Sequence, residues 1–150
     1  MIGADFAVGA GGTILYYDGT NRSAQVSGMT SDLSFVGVLD ALDAYAVGAS
    51  RTVLHYDGTR WSPIPISGLT VTLRAADVAV SATGIVTDYF VVGDGGTILH
   101  SSDGVNWSPQ PSGTANALFG VSVISKSDAF AVGALGTILH YDGTAWTQQR

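Results

Sequence analysis

The sequence predicts an all-β fold, a β-propeller of about four blades with four antiparallel strands each, on three observations. An internal repeat of about forty residues runs along the chain. Its segments look like short strands bounded by turn signals, and no window shows a helical period with caps. Because a four-stranded sheet cannot bury both faces alone, such units stack around an axis as blades. A β-sandwich is the structural rival, but it lacks a repeat of this length.

A Val-Gly pair followed by Thr and two aliphatic residues anchors the repeat. The intervals between the anchor valines are 39, 45 and 40 residues. A leucine anchor precedes the second, third and fourth valines, and the longer interval reflects about five extra residues around positions 81–87. The valine anchors are Val8, Val47, Val92 and Val132, and the leucine anchors are Leu33, Leu73 and Leu118.

Each unit reads as four short strands, most clearly in the last unit. Residues 118–124 are apolar enough for a strand buried on both faces, and residues 129–133 are small and apolar. Residues 137–141 are β-branched and aromatic and run into an Asp-Gly hairpin signal. The fourth strand starts near Trp146 and is more polar, as suits an outer strand.

The anchors predict blades at residues 33–72, 73–117 and 118–150, preceded by an incomplete blade at residues 1–32. The incomplete blade begins with its second strand near Asp5, so its innermost, axis-lining strand is missing. We therefore expect two chains to associate as a homodimer that closes one ring. A narrow four-blade ring, or a fragment or engineered segment of a longer protein, are the alternatives.

The composition excludes several function classes. All twelve acidic residues are Asp, the net charge is −6, and the six Lys and Arg residues are scattered, which argues against binding nucleic acid. No apolar run approaches the length of a membrane span, so no membrane partner is predicted. The chain has no Cys and its start lacks signal-peptide features, which leaves the compartment unassigned.

Each unit has an Asp-Gly pair after its third strand, and in three units a Trp lies three residues beyond the Gly. An Asp carboxylate accepts hydrogen bonds from turn N–H groups, Gly supplies a positive φ, and Trp packs over the hairpin, so we predict structural turns. The pairs are Asp18-Gly19, Asp57-Gly58, Asp103-Gly104 and Asp142-Gly143, and the tryptophans are Trp61, Trp107 and Trp146, with Arg22 in the first unit.

The run Val-Gly-Asp-Gly-Gly-Thr-Ile-Leu-His-Ser-Ser-Asp-Gly-Val-Asn-Trp, which ends at Trp107, resembles a blade of the Asp-box (BNR) propellers. It is similar to photosystem II assembly-factor and sialidase-like blades. Ser101, Asp103, Gly104 and Trp107 occupy the roles of the family's Ser-x-Asp-x-Gly-x-Thr-Trp hairpin, with one residue fewer. The resemblance covers nearly the whole chain. It implies the fold more specifically than the function, because the family includes enzymes, lectins and assembly factors.

The same resemblance argues against an enzyme. A sialidase-like site would need three Arg, a Tyr with a Glu partner, and an Asp, but the chain has no Glu. Its Arg residues do not recur at one repeat position, and its Asp residues lie mostly in turns rather than in the carboxylate pairs of glycosidases. A sialidase-like glycosidase is therefore the least favoured function. The arginines in question are Arg22, Arg51, Arg60, Arg74 and Arg150.

Three histidines, His55, His100 and His140, stand at matched repeat positions, with Tyr16 in the first unit. Equivalent residues of successive blades are spread around a ring, so we expect no metal site and no cofactor.

A non-catalytic binding or scaffold module remains, with a protein or a glycan as its ligand. In the lectin alternative, Trp61, Trp107 and Trp146 stack on sugar rings, and Asn106 lies beside one of them. The competing interpretation is that these tryptophans pack between outer strands.

Overall fold

The computed structural model describes residues 5–68 and 70–149. Residues 1–4, 69 and 150, which belong to the predicted blades, lie outside the described residues. The chain divides into two compact units, with the boundary between Thr72 and Leu73. Within the described ranges the regular elements are β-strands and single 3₁₀ turns, and no helix there is long and apolar enough to cross a membrane.

The first unit contains a three-stranded and a four-stranded sheet within the described residues. The three-stranded sheet comprises β1 (Asp5–Val8), β2 (Ile14–Tyr17) and β3 (Arg22–Gln25). The four-stranded sheet comprises β4 (Leu33–Asp40), β5 (Asp43–Gly48), β6 (Val53–Tyr56) and β7 (Trp61–Pro63).

The second unit contains two four-stranded sheets. The first comprises β8 (Leu73–Val80), β9 (Val86–Gly93), β10 (Ile98–Ser101) and β11 (Ser108–Gln110). The second comprises β12 (Leu118–Ser125), β13 (Asp128–Gly133), β14 (Ile138–Tyr141) and β15 (Trp146–Gln148).

All four sheets are antiparallel meanders in which each strand pairs with its neighbour in sequence. The predicted all-β architecture is thereby confirmed. The first sheet has, within the described residues, no counterpart of the leading strands β4, β8 and β12, as predicted. These leading strands shift register near both ends, for example between Leu118 and Gly120, and such irregularities increase the local twist.

A single 3₁₀ turn joins the second and third strands of each four-stranded sheet, and the equivalent turn joins β1 and β2 in the three-stranded sheet. The Thr that follows each turn donates its backbone N–H to the carbonyl of the first turn residue, at 3.1–3.2 Å. The second and third residues of each turn have a left-handed backbone, which glycine adopts without a Cβ clash. The turns are Ala10–Gly12, Ala49–Arg51, Asp94–Gly96 and Ala134–Gly136.

Packing between sheets follows the alternation of side chains along each strand. In the first unit, Phe6 on β1 lies edge-on against Tyr56 and Trp61 of the next sheet, with ring centroids 5.0 and 5.1 Å apart. This contact also buries Ile14 and Leu54. Ile14 lies on the adjacent strand β2, on the same side of its sheet as Phe6, and Leu54 lies on the same side of β6 as Tyr56. Side chains on facing sides of two sheets thus form the core of the unit.

The second unit repeats this arrangement. Phe90 on β9 is buried and lies edge-on against Tyr141 and Trp146 of the following sheet, at centroid distances of 5.4 and 5.8 Å. The leading strands are joined as well, because the Asp77 carboxylate on β8 accepts a 2.7 Å hydrogen bond from the backbone N–H of Val123 on β12. The repeat therefore specifies not only each sheet but also how one sheet packs on the next.

Candidate functional site

The four Asp-Gly turns share one hydrogen-bonding pattern. In each, the Asp Oδ1 accepts backbone N–H groups from the residues two and three positions later, at 2.7–2.9 Å. These bonds favour the charged carboxylate and hold the pKa of all four groups below its usual range. The glycine that follows has φ between 72° and 93° in every copy. The residues are Asp18, Asp57, Asp103 and Asp142, followed by Gly19, Gly58, Gly104 and Gly143.

The third turn has additional side-chain bonds. The Asn106 amide donates a 2.8 Å hydrogen bond to Oδ2 of Asp103. The Ser101 hydroxyl donates to Oδ1 of Asp103 at 2.9 Å and accepts the N–H of Gly104 at 2.9 Å. The Asn106 amide is the largest cause of the strong lowering of the Asp103 pKa, followed by the backbone N–H groups. Asn106, predicted as a ligand residue, thus has its amide engaged within the turn.

The three tryptophans lie in three different sheets, and two of them are buried. Trp61 and Trp146 are 5% and 7% exposed and belong to the packing against Phe6 and Phe90. The Trp146 indole N–H donates to Oε1 of Gln110 at 2.7 Å. The Trp61 indole N–H is buried and has no hydrogen-bond partner among the described residues.

Trp107 differs from the other two tryptophans, and the hairpin before it has one additional residue, because two residues rather than one separate its His from its Asp. It is half-buried, lies before β11 rather than in it, and donates its indole N–H to the Gly104 carbonyl at 3.1 Å. Of the three tryptophans it offers the most accessible ring. Its use as a ligand residue stays a prediction.

Replacing Asn106 with alanine is expected to raise the pKa of Asp103 towards its ordinary value, because the replacement removes the largest stabiliser of the carboxylate. The folded-state pKa of Asp103 is depressed, so its contribution to stability is present above the ordinary Asp pKa of 3.8 and is lost as the pH falls. A carboxyl ¹³C NMR titration of both proteins measures the shift. An unchanged Asp103 pKa in the variant would contradict this assignment, and Asp142, whose turn is unaltered, is the internal reference.

Each of the three histidines is held between a carboxylate and an aromatic ring. Nε2 lies 2.8–3.0 Å from the Oδ1 of an Asp twelve residues earlier. The imidazole also stacks on an aromatic residue of the preceding strand, with centroids 4.6–4.7 Å apart. The sets are Asp43, Tyr45 and His55; Asp88, Phe90 and His100; and Asp128, Phe130 and His140.

Sequence comparison of the repeats found these histidines but missed their carboxylate partners. The signal was present, since an Asp precedes each His by the same twelve residues. Each set lies within one sheet, and within residues 5–68 and 70–149 no group of three or more His, Asp, Glu or Cys side chains is close enough to hold a metal ion.

The first unit contains a surface depression of about 230 Å³ beside the turn between β5 and β6. It is lined by polar and apolar residues from three segments of the unit. Arg51, known from the sequence only as an arginine without a repeat counterpart, is among them. The sequence signal that could have found the site is Ser50-Arg51, where the other repeats have one or two glycines. The lining residues are Met29, Ser50, Arg51, Thr52, Val53, Pro63, Ile64, Pro65 and Ile66.

The chain is similar to a solved structure described as "YCF48 bound to D1 peptide", with a TM-score of 0.69 over 95% of this chain. The fold is that of a β-propeller. The predicted fold class is confirmed by this likeness, which at 17% identity establishes the fold alone. This propeller chain spans 45% of the length of that structure. No protein-family model matches the sequence, and no curated protein matches it.

Proposed function

We propose that this chain is a non-catalytic propeller module that binds a peptide segment of a protein partner. The observation that carries the proposal is its likeness in fold to a propeller solved with a bound peptide. The hydrogen bonds of its Asp side chains support a non-catalytic role. The four turn carboxylates accept backbone N–H groups, and three other Asp residues pair with His within their own sheets. These groups stabilise the blades rather than form a reactive centre.

The third turn supports an assignment of the blades to the Asp-box type. Ser101, Asp103 and Gly104 are hydrogen-bonded to one another, and Trp107 closes the same turn. The other three turns keep the Asp and the Gly without the Ser. In this role the turn residues are structural, and the ligand surface lies elsewhere on the blades.

A random peptide library displayed on phage and panned on the immobilised chain tests the proposal. We expect enrichment of related peptides whose synthetic versions bind the free chain in solution. A glycan array probed with the same preparation tests the lectin alternative, in which Trp107 would stack on a sugar ring. Binding to glycans without enrichment of any peptide would overturn the proposal in favour of a lectin.

Two sheet faces of this chain support a second copy as an additional partner. At the first position of the equivalent strands β2, β6, β10 and β14, Ile14, Val53 and Ile98 are each 1% exposed, but Ile138 is 44% exposed. On the opposite side of the same strand, the equivalent leucines are buried in three sheets, whereas Leu15 is 39% exposed. The last sheet therefore leaves one face open, and the first sheet leaves the opposite face open.

The two open faces have the residues that, at the equivalent repeat positions, form the contact between the two sheets of the second unit. In the second unit Phe90 lies against Tyr141 of the following sheet, and in the last sheet Phe130 stands at the position of Phe90 with 37% exposure. Tyr17 of the first sheet corresponds to Tyr141. We infer that Phe130 of one copy packs against Tyr17 and Leu15 of another, in a head-to-tail contact that closes one ring.

We expect light scattering to give twice the 15.4 kDa mass of the chain at high concentration. Ile138→Lys should shift the protein to the monomer, because it places a charge in the contact face. Ile85→Lys is the matched control, since Ile85 is 65% exposed in the turn between β8 and β9. A monomer at every concentration tested would rule out the second copy but would leave peptide binding untouched.

A further inference from the structure

The turn between β5 and β6 departs from the three equivalent turns. Ser50 and Arg51 both have φ near 53°, in the left-handed region where a Cβ crowds the following carbonyl. The other turns place glycine at one or both of these positions: Gly11 and Gly12, Gly95 and Gly96, and Leu135 and Gly136. Strain of this kind persists where the surroundings over-determine it, and it clusters at binding sites.

Arg51 stands where a side chain would clash in two of the other sheets. A Cβ on Gly12 would lie within 3.0 Å of the Met29 carbonyl, and a Cβ on Gly96 would lie within 3.0 Å of the Thr114 carbonyl. Those carbonyls belong to the loop that leaves the same sheet. Arg51 carries a Cβ at this position, and its backbone N–H donates a 2.7 Å hydrogen bond to the Val71 carbonyl.

The depression described above lies beside this altered turn. Val53, Pro63 and Ile66 supply apolar lining, while Ser50 and Arg51 supply the polar side. Of the lining residues, Ile66 and Val53 are buried. Ser50 and Arg51, which stand where other repeats have glycine, thus lie beside a depression whose lining includes both apolar residues and an arginine.

The Arg51 guanidinium has no carboxylate partner within 4.0 Å among the described residues. By contrast, Arg60 pairs with Asp57, and Arg74 is bound by both carboxylate oxygens of Asp94. The chain as a whole is acidic, with a net charge of −6. A guanidinium without a carboxylate partner can donate two parallel N–H···O hydrogen bonds to a single carboxylate.

The size of the depression limits which ligands it can hold. Pockets for drug-sized ligands usually hold about 300–1,000 Å³, and this one holds about 230 Å³, enough for one residue of a peptide. The net negative charge of the chain disfavours a polyacidic segment. We propose that the depression binds a carboxylate-bearing residue of a peptide beside an apolar side chain. The carboxylate is either the chain terminus or an Asp or Glu side chain, and this inference rests on the peptide-binding function proposed above.

Three fluorescein-labelled six-residue peptides test the proposal against the full chain by fluorescence anisotropy. The first ends in Leu with a free carboxylate, the second is its C-terminal amide, and the third is that amide with Glu before the Leu. We expect the neutral amide to bind at least tenfold more weakly than one of the two carboxylate peptides. Which carboxylate peptide binds identifies the source of the ligand group. Equal binding of all three peptides, or no binding of any, overturns the proposal.

Variants of the strained turn separate a binding role from a structural one. Arg51→Gly and Ser50→Gly should each raise the Tm by roughly 2–4 °C, because each relieves a left-handed non-glycine residue. Only Arg51→Gly should weaken the carboxylate peptide, by at least tenfold, and Arg51→Lys should retain part of the affinity. Unchanged affinity in Arg51→Gly overturns the site. If peptides enriched from the phage library bind the Arg51→Gly variant with the same affinity as the wild-type chain, the chain binds peptides but not at this depression.

Discussion

Replacing Gly96 with alanine is expected to destabilise the second unit by roughly 3 kcal/mol or more. A non-glycine residue in left-handed backbone costs about 1–3 kcal/mol, and Gly96 has φ 71°. The new Cβ would also lie within 3.0 Å of the Thr114 carbonyl and the Ser112 hydroxyl, and overpacking of this kind costs about 1–3 kcal/mol more. Urea denaturation followed by tryptophan fluorescence measures the loss.

Gly95→Ala is the matched control for this prediction. Gly95 has φ 64°, but a Cβ there would meet nothing within 4 Å, so it incurs only the conformational cost of about 1–2 kcal/mol. Gly136, with φ 71° and equally open surroundings, should behave like Gly95. Equal losses at Gly95 and Gly96 would show that the approach of the Thr114 loop does not decide the stability of this turn.

Replacing Phe90 with alanine should cost about 3–5 kcal/mol, the range for truncating a buried Phe. Phe90 is 0% exposed and contacts three rings, those of Tyr141, Trp146 and His100. Its loss would leave a cavity between two sheets that only partial collapse could fill. The free energy of unfolding from urea titrations is again the measurement.

Phe130→Ala provides the comparison, because Phe130 occupies the same repeat position and stacks on His140 in the same way. It is 37% exposed, so its truncation should cost about 1 kcal/mol in the monomer, within the usual range for partly exposed residues. At concentrations where two copies associate, the cost should rise towards that of Phe90. Equal costs under dilute conditions would mean that the face of the last sheet is already covered.

The architecture could be predicted from the sequence because it depends on local patterns that recur. Four Val-Gly anchors and four Asp-Gly pairs fix where strands start and where hairpins turn. Strand pairing in a meander links sequence neighbours, so period and turn chemistry suffice to specify it. That the first sheet has three strands within the described residues could be predicted for the same reason, because no leucine anchor stands ahead of Val8 in the given sequence.

The candidate site was less predictable because it depends on contacts between separate segments. The glycines replaced by Ser50 and Arg51 were visible in the repeat. Their consequence depends on which loop passes over the turn, and only the positions of Met29 and Thr114 in the other sheets reveal that loop. The tryptophans illustrate the converse case, since their hairpin positions were plain, but the burial of Trp61 and Trp146 follows from how the next sheet packs.

The meander topology also bears on how the chain folds. Every ladder joins strands that are consecutive in sequence, so backbone pairing within a sheet does not have to wait for distant segments of the chain. Hairpins of this kind form in about 1–10 μs in isolation. We expect each sheet to form early, one after another as the chain emerges from the ribosome, and the docking of one sheet on the next to limit the overall rate. Within each unit, the first completed sheet then exposes the face that the second sheet will cover.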